Sequence, residues 1–131
     1  MSPAAHLVAL LAFAFPASAP LLRLDVADAI VRAAAAHHVP VAIVAAVCFA
    51  ESRLGTVPRY ASLCGTRVHH AYVSGALSAD IAARSLARRR GECGSWPRAL
   101  TSYRWGRGCG HADTGYALRV LAVARRLGWQ S

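Results

Sequence analysis

Lysine is absent from this chain, and all 15 of its basic residues are arginine. That absence reflects a GC-rich coding sequence more than a function. Acidic residues are few, 6 in all, which leaves a net charge of +9 and favours a polyanionic partner: nucleic acid, anionic lipid or the polymers of a bacterial envelope. Beyond the N-terminus no apolar run reaches the ~20 residues of a spanning helix, although 56% of the chain is hydrophobic, much of it alanine. Val39 to Ala50 is strongly apolar but stops at Glu51 and reads as a buried core helix. There is no C-x-x-C, and cysteine spacings of 16, 29 and 16 match no zinc pattern. His37-His38 and His69-His70 are not spaced as ligands on a helix face, so neither a metal nor a cofactor is expected. Internal repeats, a second domain and convincing strands are also missing, which leaves a single all-α domain.

At the N-terminus, Leu7 to Phe15 form a short apolar core, followed by Pro16 and the small residues Ala17-Ser18-Ala19. That is the layout of a secretory signal. The first residues carry no arginine, only His6 and the α-amino group, and Pro20 follows the expected cut. Residues 1–19 are therefore read as a signal peptide or an uncleaved anchor, and 20–131 as the domain, exported to a periplasmic or extracellular space. The competing reading of this segment is a buried N-terminal helix. Cys48, Cys64, Cys93 and Cys109 make an even set in a short chain with a leader, which points to two disulfides. Four cysteines permit three pairings, and the sequence does not choose among them. In the local pairing, Cys48–Cys64 and Cys93–Cys109, each bond brackets one loop or short helix and is worth about 3 kcal/mol in the chain-entropy picture.

The pattern predicts about five helices. The first is capped by Asp25 or Asp28 and runs through His38, with Val26, Ile30, Val31 and Ala34 inward. Pro40 starts the second, which reaches Arg53 and ends at Gly55. Residues 55 to 76 read as a long functional loop. Ser78 caps a third helix, Ala79 to about Arg90, and Ser95 a fourth, with Pro97 in its first turn and Trp105-Gly106 at its end. Asp113 or Thr114 opens the fifth, with Tyr116, Val120, Leu121 and Ala124 along one core stripe.

Glu51 is the one acidic residue between Asp28 and Asp80, at the end of the most apolar helix. The negative end of a helix disfavours a carboxylate there, and apolar surroundings disfavour the charged form further. Both effects keep a proton on the side chain, as a general acid requires. The bland reading is an exposed glutamate paired with Arg53 or another arginine.

The segment from Val41 through Cys48-Phe49-Ala50-Glu51-Ser52-Arg53-Leu54-Gly55 resembles the region around the catalytic glutamate of soluble lytic transglycosylases, and Ala36-His37-His38-Val39-Pro40 looks like the turn leading into it. Ala99-Leu100-Thr101-Ser102-Tyr103-Arg104-Trp105-Gly106 is similar to that family's alanine-rich helix ending in tyrosine, asparagine, any residue, glycine. Thr114-Gly115-Tyr116-Ala117-Leu118-Arg119-Val120-Leu121 resembles its closing helix. Two positions depart: Ser62-Leu63-Cys64-Gly65 stands where the family has glycine-leucine-methionine-glutamine, and Arg104 stands where it has asparagine.

The resemblance implies a small lysozyme-like helical domain with peptidoglycan glycan strands as its partner. Export and the spread of arginines over the whole chain argue against a nucleic-acid partner, and a monomer without membrane contact beyond an uncleaved leader is expected. The resemblance also implies one-carboxylate chemistry, in which Glu51 protonates the bridging oxygen between N-acetylmuramic acid and N-acetylglucosamine. The same residue then accepts the proton of the muramoyl 6-hydroxyl as that oxygen closes a 1,6-anhydro ring. Tyr103 is expected beside the glutamate, with Ser52, Gly65 and Trp105 as substrate contacts, while Trp96 and Trp105 offer faces for sugar stacking. Ordinary glycosidases use two carboxyl groups, and a plain hydrolase reading would need Asp80 or Asp113 to face Glu51. Two further alternatives are a wall-binding module without activity and a basic helical nucleic-acid-binding domain using Arg88-Arg89-Arg90.

Overall fold

The computed structural model describes residues 1–54, 63–65, 67–68, 71–72, 74–106, 108–110 and 115–130. Within them the chain is all-α, with six α-helices and one short 3-10 helix. In order these are α1 (Pro3–Ala14), the 3-10 helix (Pro16–Leu21), α2 (Leu24–His37), α3 (Val41–Ser52), α4 (Gly75–Cys93), α5 (Trp96–Trp105) and α6 (Gly115–Arg126). Between α3 and α4, two-residue strands β1 (Arg67–Val68) and β2 (Ala71–Tyr72) pair antiparallel, with Val68 opposite Ala71.

Of the two helical elements beyond the expected five, α1 lies within residues 1–19, read as a leader, and the 3-10 helix begins there and runs on to Leu21. Ser2 caps α1 by accepting the Ala5 amide, Pro3 occupies its first turn, and Pro16 follows its end. Ala4, Leu7, Leu11 and Ala14 fall on one face at helical spacing, and that buried face packs on α2. Phe15 stacks on Phe49 at 4.3 Å between ring centroids, and Arg126 donates to the Ala14 carbonyl from above the Phe15 ring. No helix among the described residues is long and apolar enough to cross a membrane.

Helix α3 is buried all round: every residue from Ile43 to Cys48 is fully shielded from solvent. Pro40 immediately precedes its first residue. It packs against α6, α2 and α4, and alanines on those partners (Ala33, Ala34, Ala82, Ala117, Ala124) let the helix axes come close. Fully burying a side chain such as Ile43 or Leu86 contributes roughly 1.5–3 kcal/mol.

Several helix starts differ from expectation. Helix α2 begins at Leu24, so neither Asp25 nor Asp28 is its cap; Asp25 instead accepts from Arg23 and from the next amide, and Asp28 pairs with Arg32 at 2.7 Å. The helix closes on His38 in the left-handed conformation, one residue earlier than predicted. Helix α4 starts at Gly75 rather than at the predicted Ala79, because the Ser74 hydroxyl already accepts the Leu77 amide. Ser78 is buried inside that helix, and its hydroxyl accepts the Cys64 amide at 2.9 Å. Helix α5 has the predicted Ser95 cap and Pro97, and α6 buries Tyr116, Val120, Leu121 and Ala124 together with Ala117. The predicted caps Asp113 and Thr114 and the terminator Gly55 lie outside the described residues.

Both disulfides follow the local pairing, Cys48–Cys64 and Cys93–Cys109, and no described cysteine is free. Each closes a loop of 16 residues, worth about 3 kcal/mol. Denatured, unreduced protein should therefore show no reactive thiol, and reduction should lower the melting temperature by many degrees. Four reactive thiols in freshly purified protein would count against the cross-links.

Candidate active site

Glu51 lies one residue before the end of α3, and the chain turns sharply just beyond it. Arg53 and Leu54 both adopt left-handed backbone conformations, with φ of 51° and 60°. Consecutive non-glycine residues there are uncommon, and such strain persists only where the surroundings over-determine it. Here the Arg53 amide donates to the Phe49 carbonyl at 2.9 Å, and the Leu54 side chain is buried.

The short segment 63–65 returns over this turn and is tied down from three helices. From α3, Cys48 holds Cys64 through the disulfide, and the Ser52 hydroxyl donates to the Leu63 carbonyl at 2.5 Å. From α4, Ser78 accepts the Cys64 amide. From α5, the Tyr103 hydroxyl donates to the Cys64 carbonyl at 3.0 Å. These ties set Gly65 directly against the Glu51 side chain: a Cβ at Gly65 would lie 2.5 Å from Oε2 and 2.8 Å from Cδ. Gly65 also has φ of +75°, so glycine is required there both by the backbone and by the approach of the carboxylate. On the opposite side, the Tyr116 hydroxyl of α6 donates to Glu51 Oε1 at 3.0 Å.

Burial, and after it the negative charge of Glu51, pushes both phenols well above the ordinary tyrosine value; Arg104 opposes this at Tyr116 and Arg89 at Tyr103. Each therefore remains a proton donor throughout the biological pH range. An unfolded chain releases these two protons near pH 10, whereas the folded protein keeps them. Their contribution to stability is thus complete below about pH 10 and is lost as pH rises beyond it, by about 1.4 kcal/mol per pH unit for each phenol. Denaturant unfolding across this alkaline range should show the decline, and Tyr116→Phe should make it visibly shallower. An unchanged slope in that variant would mean Tyr116 titrates alike in both states.

Two hollows open on either side of the carboxylate. The larger, about 520 Å³, is lined by Phe49, Arg53, Tyr116 and Arg119 among others, and the smaller, about 280 Å³, by Gly65, Ile81, Ser85 and Tyr103. Glu51 and Arg104 line both, so they sit where the two arms meet. Among the described residues, Glu51 is the one carboxylate lining either arm. Asp80 is instead bonded to His37 at 2.7 Å, joining α4 to α2, and Asp113 lies outside the described residues.

The other predicted site residues divide. Tyr103 does stand in the cleft beside Glu51, but its hydroxyl bonds the Cys64 carbonyl, while Tyr116, expected only as core stripe, holds the carboxylate. Ser52, predicted as a substrate contact, is 2% exposed and positions the cleft wall through Leu63. Trp105 is 61% exposed at the end of α5, with the Arg104 guanidinium 5.7 Å from its ring centre. Trp96 packs against the core beneath Arg90. The arginine run is not a uniform basic face: Arg88 approaches Glu92, while Arg89 donates to the Ser102 carbonyl and hydroxyl, stitching α4 to α5. Among the described residues no three His, Cys, Asp or Glu side chains gather as a metal site would need. His69 and His70 lie outside them. A polar hydroxyl heading the otherwise aliphatic stripe 116, 120, 124 is the signal that could have pointed to Tyr116.

No protein-family model matches this chain, and neither does any curated protein or solved structure.

Proposed function

We propose that this chain is an exported lytic transglycosylase of lysozyme-like fold, cleaving the β-1,4 bond between N-acetylmuramic acid and N-acetylglucosamine in peptidoglycan. It acts as a monomer without a cofactor. The observation that carries this reading is Glu51, the one carboxyl group lining the cleft among the described residues, fixed between Tyr116 and Gly65 at the junction of its two arms. An all-α body and two disulfides agree with it.

The chemistry needs one group to act twice. Protonated Glu51 delivers its proton to the bridging oxygen as the bond to muramoyl C1 breaks, and N-acetylglucosamine leaves with a free 4-hydroxyl. The resulting carboxylate accepts the proton of the muramoyl 6-hydroxyl while that oxygen bonds to C1, which closes the anhydro ring and restores the acid without consuming water. Tyr116 keeps the carboxyl oriented through both steps, and the anchored 63–65 segment limits where Oε2 can swing.

Mass analysis of purified peptidoglycan digested by the full-length protein tests this. Muramoyl ends one water lighter than hydrolytic ends are expected. Hydrolytic ends alone would replace the reading with a lysozyme-type hydrolase. No release anywhere from about pH 4 to 8 would leave a wall-binding module.

A further inference from the structure

Among the described residues that line them, the two arms of the cleft differ in charge. The smaller arm presents Cys64, Gly65, Ile81, Ser85 and Tyr103, all uncharged, with the shared Arg104 at its inner end. The larger arm is lined by Arg53, Arg104 and Arg119 and, among the described residues, by one carboxylate, Glu51, with Phe49 and Val123 adding apolar wall. Neutral N-acetylated sugars offer Arg104 and Arg119 no carboxylate. A glycan that carries carboxylates does offer one, and arginine is suited to it because its planar fork can donate two parallel hydrogen bonds.

We infer that the larger arm binds the carboxylate-bearing substituent of the muramoyl residue, so that charge sets which way the strand lies across Glu51. This rests on the transglycosylase reading for its substrate. Arg104 lines both arms together with Glu51, whereas Arg119, three residues after Tyr116 on α6, lines the larger arm and not the smaller, so positive charge continues into the larger arm. Arg104 is also held in position over the Tyr116 ring, 5.5 Å from its centre, which couples the anion-binding wall to the residue that orients the acid. Two groups on a muramoyl residue offer this chemistry, the lactyl carboxylate of a bare strand and the carboxylates of an attached peptide. Both are absent from a polymer of N-acetylglucosamine alone.

Calorimetric titration of Glu51→Gln protein, which binds without cutting, separates them. Three soluble glycans serve as probes: peptide-bearing muramoyl oligosaccharides, the same oligosaccharides stripped of peptide, and chito-oligosaccharide of equal length. Adding Arg104→Gln and Arg119→Gln to that protein should weaken the carboxylate-bearing probes by at least about tenfold, and the neutral probe far less. A loss on the stripped probe assigns the lactyl carboxylate as partner, and a loss confined to the peptide-bearing probe assigns the peptide. Arg119→Gln alone, on an exposed helix surface, should show part of the effect with an unchanged melting temperature. Equal losses on all three probes, no loss on any, or no binding of the carboxylate-bearing probes overturns the inference. Absence of anhydro products from the wild type overturns the transglycosylase reading but leaves a charge-selective binding result standing.

Discussion

Glu51→Gln should lower release of anhydro-muropeptides by at least about 100-fold while the protein still folds and still binds glycan strands. The substitution is nearly isosteric, so the packing against Gly65 is retained, and the amide oxygen can still accept from Tyr116. What is lost is the transferable proton, and the bridging oxygen leaves poorly without it. Two opposing effects act on stability. Removing a carboxylate from the negative end of α3 gains roughly 0.3–1 kcal/mol, while the bond from Tyr116 weakens because its acceptor is no longer charged. The melting temperature should consequently stay close to that of the wild type. Anhydro product formed at near wild-type rate by this variant would remove Glu51 from the role of acid, whatever the fate of the rest of the site.

Much of this architecture is legible in the residue order because the signals are local. Pro40 ahead of a long apolar run, and Ser95 with Pro97 behind it, are read correctly as helix starts since each helix end is built by residues next to it. Placement of Glu51 at the end of α3 follows from the same run. Hydroxyls are harder to read. Ser78 looks like a cap, but Ser74 caps the helix first and Ser78 is used across space by Cys64. Ser52 and Tyr103 look like substrate contacts, yet both spend their hydroxyls on carbonyls of the 63–65 segment. Each of these partners lies 11 to 39 residues away, and nothing in a linear pattern announces them. Tyr116 is hidden for the opposite reason: it does fill the core stripe, being 7% exposed, and its hydroxyl reaches Glu51 from the end of that stripe.

These distant bonds share one purpose, the placement of Gly65, and Gly65→Ala should therefore be the most damaging single-methyl change in the protein. An alanine there must hold φ near +75°, which costs roughly 1–2 kcal/mol. Its Cβ would sit 2.5 Å from Oε2, 2.8 Å from Cδ and 3.0 Å from Cγ of Glu51, so something must move. The segment itself is held by the Cys48–Cys64 bond, Ser52, Ser78 and Tyr103, whereas the glutamate side chain is held at its tip by Tyr116. The carboxyl group is the part that yields. A displacement of about 1 Å at a reacting group can cost about 100-fold in rate, and that is the expected loss, with a melting temperature lower by several degrees. Combining Gly65→Ala with Glu51→Gln distinguishes misplacement from general damage. If the methyl acts by moving the acid, the double variant is no slower than Glu51→Gln alone, because the group being displaced has already lost its function. A double variant much slower than Glu51→Gln, or a Gly65→Ala protein with wild-type rate and melting temperature, would mean the close approach of Gly65 to the carboxylate does not govern the chemistry.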